Sequence, residues 1–395
     1  MSQVELFQKI LVERPIGTEG NKKVLDLLEE EFKNRNCQII SLPFSCKVWE
    51  HEASFIECGE KKTAIEVSPF SEAFTGEGIV KIAESLEELK ALECKDCILV
   101  LKNELTQSAL QPKDYPFYYP DEHRELITLL EEKAPAAIIA VTGADFMSGL
   151  DPFPLFDDGN FLIPSAYLSN EVWESVWQEV ENTKVSVHIL SKKKEVESKQ
   201  LVACKRALQS KGKIVICAHM DTKYEALGAI DNGTGVMALL DMANTISAEH
   251  YDIEIVPFNG EESYEASGEL AYLNYLSEQD TPVKLVINID SPCHAGSEIA
   301  VSAYQLEEAC QKQVERIIEE TDKVCLGDEW YAGDHAMFAF QGIPCIAISS
   351  SDLFTGALEY THTMKDVAST VDLGLVSSAT EFVEKLIGYM DKSVC

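Results

Sequence analysis

Short apolar segments alternate with amphipathic segments in the second half of the chain. Four runs rich in β-branched residues, KIVICA, IEIVPF, LVINI and CIAISS, begin at residues 213, 253, 285 and 345. Between and after them, apolar residues recur at helical spacing, most clearly in residues 234–247 and 373–390. This alternation predicts an α/β fold with a mainly parallel mixed sheet flanked by helices.

The first half of the chain begins with one helical pattern and then becomes β-rich. Val24, Leu28 and Phe32 recur at four-residue spacing among Glu and Lys, which predicts an amphipathic helix over residues 20–36. The run IISLPF then predicts a short strand. From residue 48 to 195, the strand-like runs CILVL, AAIIAV and FLIPSAYL lie among long loops rich in Pro, Tyr and Phe.

This change of pattern predicts two domains. A β-rich domain is expected at residues 49–195, inserted into an α/β domain made of residues 1–48 and 196–395. The lysine-rich stretch SKKKEVESK, residues 191–199, is expected to be an exposed linker at the end of the insertion. A length of 395 residues with 46% hydrophobic side chains suffices for two cores.

Charge and apolar pattern exclude several classes of partner. The 67 acidic and 33 basic residues give a formal net charge of −34, which repels nucleic acid and anionic membrane surfaces. The N-terminal residues lack the uninterrupted apolar core of a secretory signal, and no later stretch is long and apolar enough to span a bilayer. We therefore expect a cytoplasmic protein.

The twelve cysteines fit that expectation. In a reducing compartment most of them are expected to be buried free thiols rather than disulfides. Cys94 and Cys97 form a single CxxC with no second pair, which is weak evidence for a redox or zinc function.

Residues with metal-binding side chains follow the predicted strands. The run KIVICA leads directly into His219 and, two residues later, Asp221. The carboxyl ends of parallel strands share one edge of a sheet, so Asp221 could orient the His219 imidazole there. Asp231 lies in the glycine-rich turn of residues 228–233, where it could also be a simple helix N-cap.

Three further segments bring similar side chains to the same edge. Glu261 and Glu262 follow the second strand, Asp290 follows the third, and His362 lies in a loop near the C-terminus. Each alone has an ordinary interpretation, such as a turn residue, a solvated charge or a core histidine. Together, the two histidines, Asp231, Asp290 and one of the two adjacent glutamates suit two divalent ions that share a bridging carboxylate.

The motifs AHMD, GAIDNGTG, NGEE, NID, GDHAMF with GIP, and YTHTMKD carry a family resemblance. Over about residues 15–45 and 200–392 the chain resembles the co-catalytic zinc aminopeptidases, which include bacterial secreted aminopeptidases, aminopeptidase Y and the glutamate carboxypeptidases. The resemblance implies a site with two zinc ions. His219, Asp231 and Asp290 look like ligands of one ion, and Asp231, Glu262 and His362 look like ligands of the other.

The resemblance also implies roles for residues that bind no metal. Glu261 matches the family's general base. Tyr360 is a candidate donor to the oxyanion, although Thr361 separates it from His362, which leaves the oxyanion stabiliser open. Asp366 is a candidate to orient His362, with a solvated acid as the alternative.

Other parts of the resemblance concern structure. Residues 50–195 look like the protease-associated domain that many relatives insert at this place. Asp334 and His335 are expected to have a structural or substrate-loop role, because the metal set is complete without them.

These observations predict a di-zinc metallopeptidase, most simply an aminopeptidase, that acts on peptides or small amides. Two alternatives stay open at this point. One is another amidohydrolase or a glutaminyl cyclase on the same scaffold, and the other is a binding or scaffold relative without catalysis. The complete ligand set together with Glu261 favours the peptidase.

Overall fold

The computed structural model describes residues 2–145 and 149–392. It divides into two compact units. Unit 1 comprises Met1–Cys46 and Val196–Cys395, and unit 2 comprises Lys47–Glu195. Among the described residues, no helix combines the length and apolarity needed to cross a bilayer.

In chain order, the strands are β1 (Gln38–His51), β2 (Ser54–Cys58), β3 (Lys61–Val67), β4 (Phe74–Ala83), β5 (Ile98–Leu101), β6 (Ala137–Thr142), β7 (Ser165–Ser169), β8 (Lys184–Ile189), β9 (Ser191–Lys205), β10 (Lys213–His219), β11 (Asp252–Phe258), β12 (Val283–Ile289), β13 (Ile299–Tyr304), β14 (Val324–Leu326) and β15 (Cys345–Ser350). The α-helices are α1 (Gln3–Ile10), α2 (Glu19–Asn34), α3 (Leu86–Ala91), α4 (Asp121–Lys133), α5 (Asn170–Val176), α6 (Thr234–Thr245), α7 (Ser267–Ser277), α8 (Glu308–Glu319), α9 (Ala336–Ala339) and α10 (Leu375–Lys392). Short 3₁₀ turns span Asn103–Thr106, Ala357–Glu359 and Ala368–Thr370, and a π-type turn spans Ala229–Gly233.

Unit 1 is built on an eight-stranded mixed sheet. The strand order is β1-β9-β11-β10-β12-β15-β13-β14. The four central strands β11, β10, β12 and β15 are parallel, whereas β9 pairs antiparallel with β11 and β13 pairs antiparallel with β15. The predicted fold class, a mainly parallel mixed sheet flanked by helices, is confirmed. All residues of β10, β11 and β15 are buried, as expected for strands that are covered on both faces.

Three predicted helices occupy the core of unit 1. The Thr18 hydroxyl accepts a hydrogen bond from the Asn21 amide and caps α2, whose buried stripe includes Val24, Leu28 and Phe32 as the spacing predicted. Helix α6 is buried along most of its length and packs against α10 and β10. The predictions for residues 234–247 and 373–390 are confirmed by α6 and α10.

Unit 2 contains a closed barrel of seven strands in the order β2-β3-β7-β6-β5-β4-β8. Strands β5 and β6 are buried at every position, and side chains from α3 and α4 pack on them. The strand predicted from FLIPSAYL is shorter than expected, because regular pairing starts only at Ser165. Pro164 has no amide hydrogen to donate to the ladder, so the strand begins after it.

The prediction of an exposed linker at residues 191–199 is wrong. These residues form the first part of β9, beside β1, which is itself longer than the short strand predicted from IISLPF. Exposure alternates over much of the lysine-rich stretch, so the charged side chains reach solvent or acidic partners while the backbone remains extended. For example, Nζ of Lys193 lies 2.6 Å from Oε1 of Glu72, and Nζ of Lys199 lies 2.5 Å from Oε2 of Glu29.

The cysteines described by the structure are free thiols. Of these eleven, eight are buried and three are partly buried. Cys94 and Cys97 are 1% and 6% exposed and line the core of unit 2 beside β5, where they serve as small apolar side chains.

Arg14 connects the N-terminal segment to the two turns that carry the first candidate ligands. Its guanidinium is fully buried and donates to the carbonyl oxygens of Met220 at 2.6 Å, Leu227 at 2.5 Å and Gly228 at 3.0 Å. Gly228 has φ 59°, and a Cβ there would lie 2.4 Å from the carbonyl oxygen of Asp231. The turn therefore needs both the glycine and the arginine.

We expect Arg14→Met to lower the free energy of unfolding of unit 1 by about 3 kcal/mol, because several buried carbonyl groups lose a charged donor. Differential scanning calorimetry, which can resolve separate transitions, measures the effect. Arg316→Met is the control, since the Arg316 side chain is 67% exposed and its pair with Glu320 is a surface contact worth about 0.5 kcal/mol or less. Equal stabilities of the two variants would contradict the role assigned to Arg14.

Candidate metal centre

The carboxyl ends of the four central parallel strands carry the predicted ligands. His219 is the last residue of β10, and Asp290 directly follows β12. Glu261 and Glu262 lie just beyond β11, and the loop after β15 carries His362. Because these strands are neighbours and run in the same direction, their ends bring side chains distant in sequence to one edge of the sheet.

Asp231 lies between the two histidines. Its Oδ1 atom is 2.8 Å from Nε2 of His219, and its Oδ2 atom is 3.1 Å from Nε2 of His362. Nε2 of His219 is also 3.6 Å from Oδ1 of Asp290, and Nε2 of His362 is 3.0 Å from Oε1 of Glu262. The two oxygens of Asp231 thus face different histidines, Oδ1 toward His219 and Oδ2 toward His362.

Among the described residues, three overlapping groups have the geometry of metal ligands: one joins His219 to Glu261 and Glu262, and the other two share Asp231. Within each group, one ligand atom from every residue lies within 4.8 Å of the others. Of the two groups that share Asp231, the first is His219, Asp231 and Asp290, and the second is Asp231, Glu262 and His362. Imidazole nitrogens and carboxylate oxygens are the donors that zinc and similar divalent ions take. The residues present therefore fit a pair of such ions.

Backbone hydrogen bonds hold Asp231 in place. Both oxygens of Asp366 accept hydrogen bonds, from the amide of Ile230 at 2.7 Å and from the amide of Asp231 at 3.1 Å. Asn232 donates to the carbonyl oxygen of Ile289, at the end of β12, at 2.8 Å. Asp366 is fully buried and so is not a solvated acid, and its contacts are to the Asp231 turn rather than to the His362 imidazole.

The buried charges perturb one another strongly. Burial by itself lowers the pKa of His219, but the carboxylates of Asp221, Asp231 and Asp290 outweigh it and raise that pKa well above its ordinary value. Burial by itself raises the pKa of Asp231, but hydrogen bonds from His219 and His362 hold that pKa below its usual range. The site thus favours positive charge beside its carboxylates.

Glu261 faces a different environment from Glu262. Burial, together with the carboxylates of Glu262, Asp334 and Asp290, raises the pKa of Glu261 well above its usual value despite the opposing effect of His219. Glu262 instead lies beside His362, and its Oε2 atom is 3.5 Å from the ammonium group of Lys223. Oxygens of both glutamates lie within 4.8 Å of His219, so both belong to the site.

Asp221 and Tyr360, the other two residues predicted to act in catalysis, lie around the site. Oδ1 of Asp221 is 3.7 Å from Nδ1 of His219, which is longer than a hydrogen bond, and its Oδ2 accepts from the Glu262 amide at 3.2 Å. The Tyr360 ring packs on His294, with 5.4 Å between the ring centroids. Asp221 is therefore hydrogen-bonded to the glutamate pair and lies beside the His219 imidazole without a hydrogen bond to it.

Asp334 and His335 are both buried, and they differ in character. Nε2 of His335 is 2.7 Å from the carbonyl oxygen of Trp330, and burial lowers the pKa of this imidazole to about 4. His335 is thus a buried, neutral side chain held by a backbone carbonyl group, and its structural or substrate-loop role stays a prediction. Burial raises the pKa of Asp334 well above its usual value, and the carboxylate of Glu269 adds to the effect.

Sequence reasoning missed Glu269 and Arg14, two buried charged residues near the site. Glu269 is 1% exposed in α7, and burial together with the nearby carboxylates of Asp221 and Glu261 raises its pKa well above the usual value. An isolated acid in a helix resembles a solvated charge, so nothing in the local sequence marks it as buried. Arg14 was missed for a similar reason, because an isolated arginine also resembles a solvated charge.

The second half of the chain matches a known protein family. The model of Peptidase family M28 matches residues 201–387. Among curated proteins, no sequence matches the chain significantly.

Solved structures with similar folds include three bacterial peptidases. The aminopeptidase from Aneurinibacillus sp. strain AM-1 has a TM-score of 0.74 at 14% identity, over 98% of this chain and 93% of that one. BSAP, a zinc aminopeptidase from Bacillus subtilis, has a TM-score of 0.73 at 17% identity, over 100% and 97%. A Peptidase M28 precursor from Shewanella amazonensis SB2B has a TM-score of 0.71 at 18% identity, over 100% and 93%.

At these identities the structural likeness shows the shared fold, and the family match adds the chemistry. The matched residues contain every ligand candidate described above, together with Glu261. Residues 201–387 are therefore a domain of Peptidase family M28, and the chain is a metallopeptidase.

Proposed function

We propose that the chain is a di-zinc aminopeptidase. The observation that carries this proposal is the position of Asp231, whose two oxygens face His219 and His362 at 2.8 and 3.1 Å. One ion would be held by His219, Asp231 and Asp290, and the other by Asp231, Glu262 and His362. The family match and the likeness to a zinc aminopeptidase support this assignment.

Bound zinc would supply a Lewis acid for the scissile carbonyl and would lower the pKa of a bound water. Glu261 accepts the proton of the attacking water and donates it to the leaving amine. Its raised pKa suits this role, because a buried carboxyl group exchanges protons nearer neutral pH than a solvated one does.

Three neighbouring residues support this reaction. Asp221 positions the glutamate pair by accepting a hydrogen bond from the Glu262 amide. It also lies beside Nδ1 of His219, the ring nitrogen that does not face Asp231. Tyr360 lies two residues before His362 and is the candidate donor to the oxyanion of the tetrahedral intermediate. Lys223 balances part of the negative charge at Glu262.

We also infer that unit 2 is an inserted domain of the protease-associated type. The inference is supported by its position within the chain, since it interrupts the α/β unit, and by its closed seven-stranded barrel. The resemblance of residues 50–195 to such domains points in the same direction.

The first prediction concerns metal content. After removal of metal with a chelator, titration with Zn²⁺ and elemental analysis should give two ions per chain. His362→Ala should bind one ion fewer, because it removes a donor of the group formed with Asp231 and Glu262. His123→Ala in unit 2 is the control and should bind as the wild type does. A wild-type chain that binds no zinc would refute the proposal.

The second prediction separates proton transfer from metal binding. Glu261→Gln keeps the shape of the side chain but removes the base, so turnover should fall by about 10²- to 10⁴-fold while metal content is unchanged. Glu262→Gln should lose metal and activity together, with partial recovery in excess Zn²⁺. If the two variants behaved the opposite way, the assigned roles of the two glutamates would have to be exchanged.

The third prediction tests the reaction class. Aminoacyl-para-nitroanilides with a free α-amino group should be hydrolysed, whereas the N-acetylated compounds should not. Loss of activity in a chelator, and in Glu261→Gln prepared in parallel, controls for contaminating peptidases. Equal hydrolysis of free and acetylated substrates would indicate a different amide hydrolase on this scaffold.

A further inference from the structure

The loop that follows β15 determines where His362 lies. We call residues 351–367 the His362 loop. His362 itself has φ 60°, a left-handed backbone conformation that residues other than glycine rarely adopt. The surrounding contacts must therefore hold the loop in this conformation.

The C-terminal end of the His362 loop is attached to the segment that carries another ligand. Asp366 accepts hydrogen bonds from the amides of Ile230 and Asp231, as described above. This attachment fixes the loop relative to the bridging carboxylate of Asp231.

The N-terminal end of the loop is attached by a second acidic residue. Oδ2 of Asp352 lies 2.8 Å from Nδ1 of His294. Because an ionised carboxylate can only accept, Nδ1 of His294 donates this hydrogen bond. His294 follows Asp290 closely in the chain, and its amide donates to the Ser350 hydroxyl at 3.0 Å. The pair therefore connects the segment after Asp290 to the loop that carries His362.

The turn around this pair leaves little spare room. Gly356 lies in the same loop, and a Cβ placed on it would lie 2.5 Å from Oδ2 of Asp352 and 3.2 Å from Cε1 of His294. The His294 ring also packs against Tyr360, two residues before the ligand. The His294 and Asp352 side chains are 13% and 32% exposed, so the pair is partly shielded from water.

Asp290 has an independent support. Its amide donates to the carbonyl oxygen of Ile348 at 2.8 Å, which continues the pairing of β12 with β15. Loosening the His362 loop should consequently displace His362 more than Asp290.

We propose that His294 and Asp352 are positioning residues that hold the His362 loop in its ligand-binding conformation, and so set the affinity for the ion bound by Asp231, Glu262 and His362. This inference rests on the proposed function, because it assumes two bound ions. It predicts an effect that is specific to one of them.

The chain offers a matched control in the same unit. His250 and Asp391 form a similar pair, with Nδ1 of His250 at 3.3 Å from Oδ1 of Asp391. Their side chains are 34% and 17% exposed, and neither residue belongs to a segment that carries a proposed ligand. A general effect of removing a partly exposed histidine would appear in both pairs.

The test compares the zinc affinities of wild type, His294→Ala, His294→Asn and His250→Ala, measured by competition with a chelator. Cobalt(II) absorption spectra report the geometry of each occupied site. His294→Ala should weaken the binding of one ion by about 10- to 100-fold, the range usual for residues that support metal ligands, and leave the other unchanged. His250→Ala should match the wild type.

His294→Asn provides the rescue. The asparagine amide nitrogen stands close to the place of Nδ1 in the imidazole and can still donate to Asp352. Zinc affinity should therefore recover toward the wild-type value in this variant. Gly356→Ala should weaken the same ion with both partners of the pair intact, because its methyl group intrudes on the hydrogen bond.

The outcomes are distinguishable. If His294→Ala binds both ions as the wild type does, or weakens both equally, the positioning role is refuted while the proposed function stands. If His294→Asn is no better than His294→Ala, the hydrogen bond is not the cause and the proposal also fails. If the wild type binds no pair of zinc ions, the proposed function itself is wrong and this inference falls with it.

Discussion

Repulsion between carboxylates crowded at one edge of a sheet is the constraint on which the rest of unit 1 depends. Asp221, Asp231, Glu261, Glu262 and Asp290 all lie there, the three aspartates buried and the two glutamates partly buried. A buried carboxylate costs several kcal/mol unless a positive charge or hydrogen-bond donors compensate it. His219 and His362 supply part of that compensation in the protein, and divalent cations would supply the remainder.

The same constraint explains why backbone groups do much of the positioning. Asp366 binds the amides beside Asp231, and Arg14 binds the carbonyl groups of the two turns that lead to His219 and Asp231. These groups hold the ligands without competing for the atoms that would face a metal. Each comes from a part of the chain far from the ligand it supports, so the site is stable only when the whole unit is folded.

Fold and chemistry rest on different observations in this protein. Structures that share 14 to 18% identity with it superpose over almost the whole chain, which shows how tolerant this scaffold is of sequence change. A scaffold of this kind can host several amide-cleaving reactions, so fold likeness alone does not select one. The match of residues 201–387 to Peptidase family M28 makes peptide hydrolysis the best-supported reaction, and the proposed ligand groups around Asp231 agree with it.

The sequence by itself determined the elements that depend on local pattern. Strands β10, β11, β12 and β15 follow from continuous apolar runs, and α2, α6 and α10 follow from helical spacing. His219, Glu262 and Asp290 could be found because each lies at or just beyond the end of such a strand, and parallel strands bring their ends together, whereas Asp231 and His362 were suggested by the motifs of the turn and the loop that carry them. The resemblance of the motifs then suggested which residues share an ion.

Only the tertiary structure decided the features that depend on contacts between distant residues. The lysine-rich stretch of residues 191–199 has a composition typical of a linker but forms a strand, because β1 provides a partner for its backbone. The buried state of Arg14 and Glu269 and the pairing of His294 with Asp352 depend on segments that meet only after folding. Such contacts leave no periodic signal in the sequence, because what fixes them is the packing of whole elements rather than the spacing of neighbouring residues.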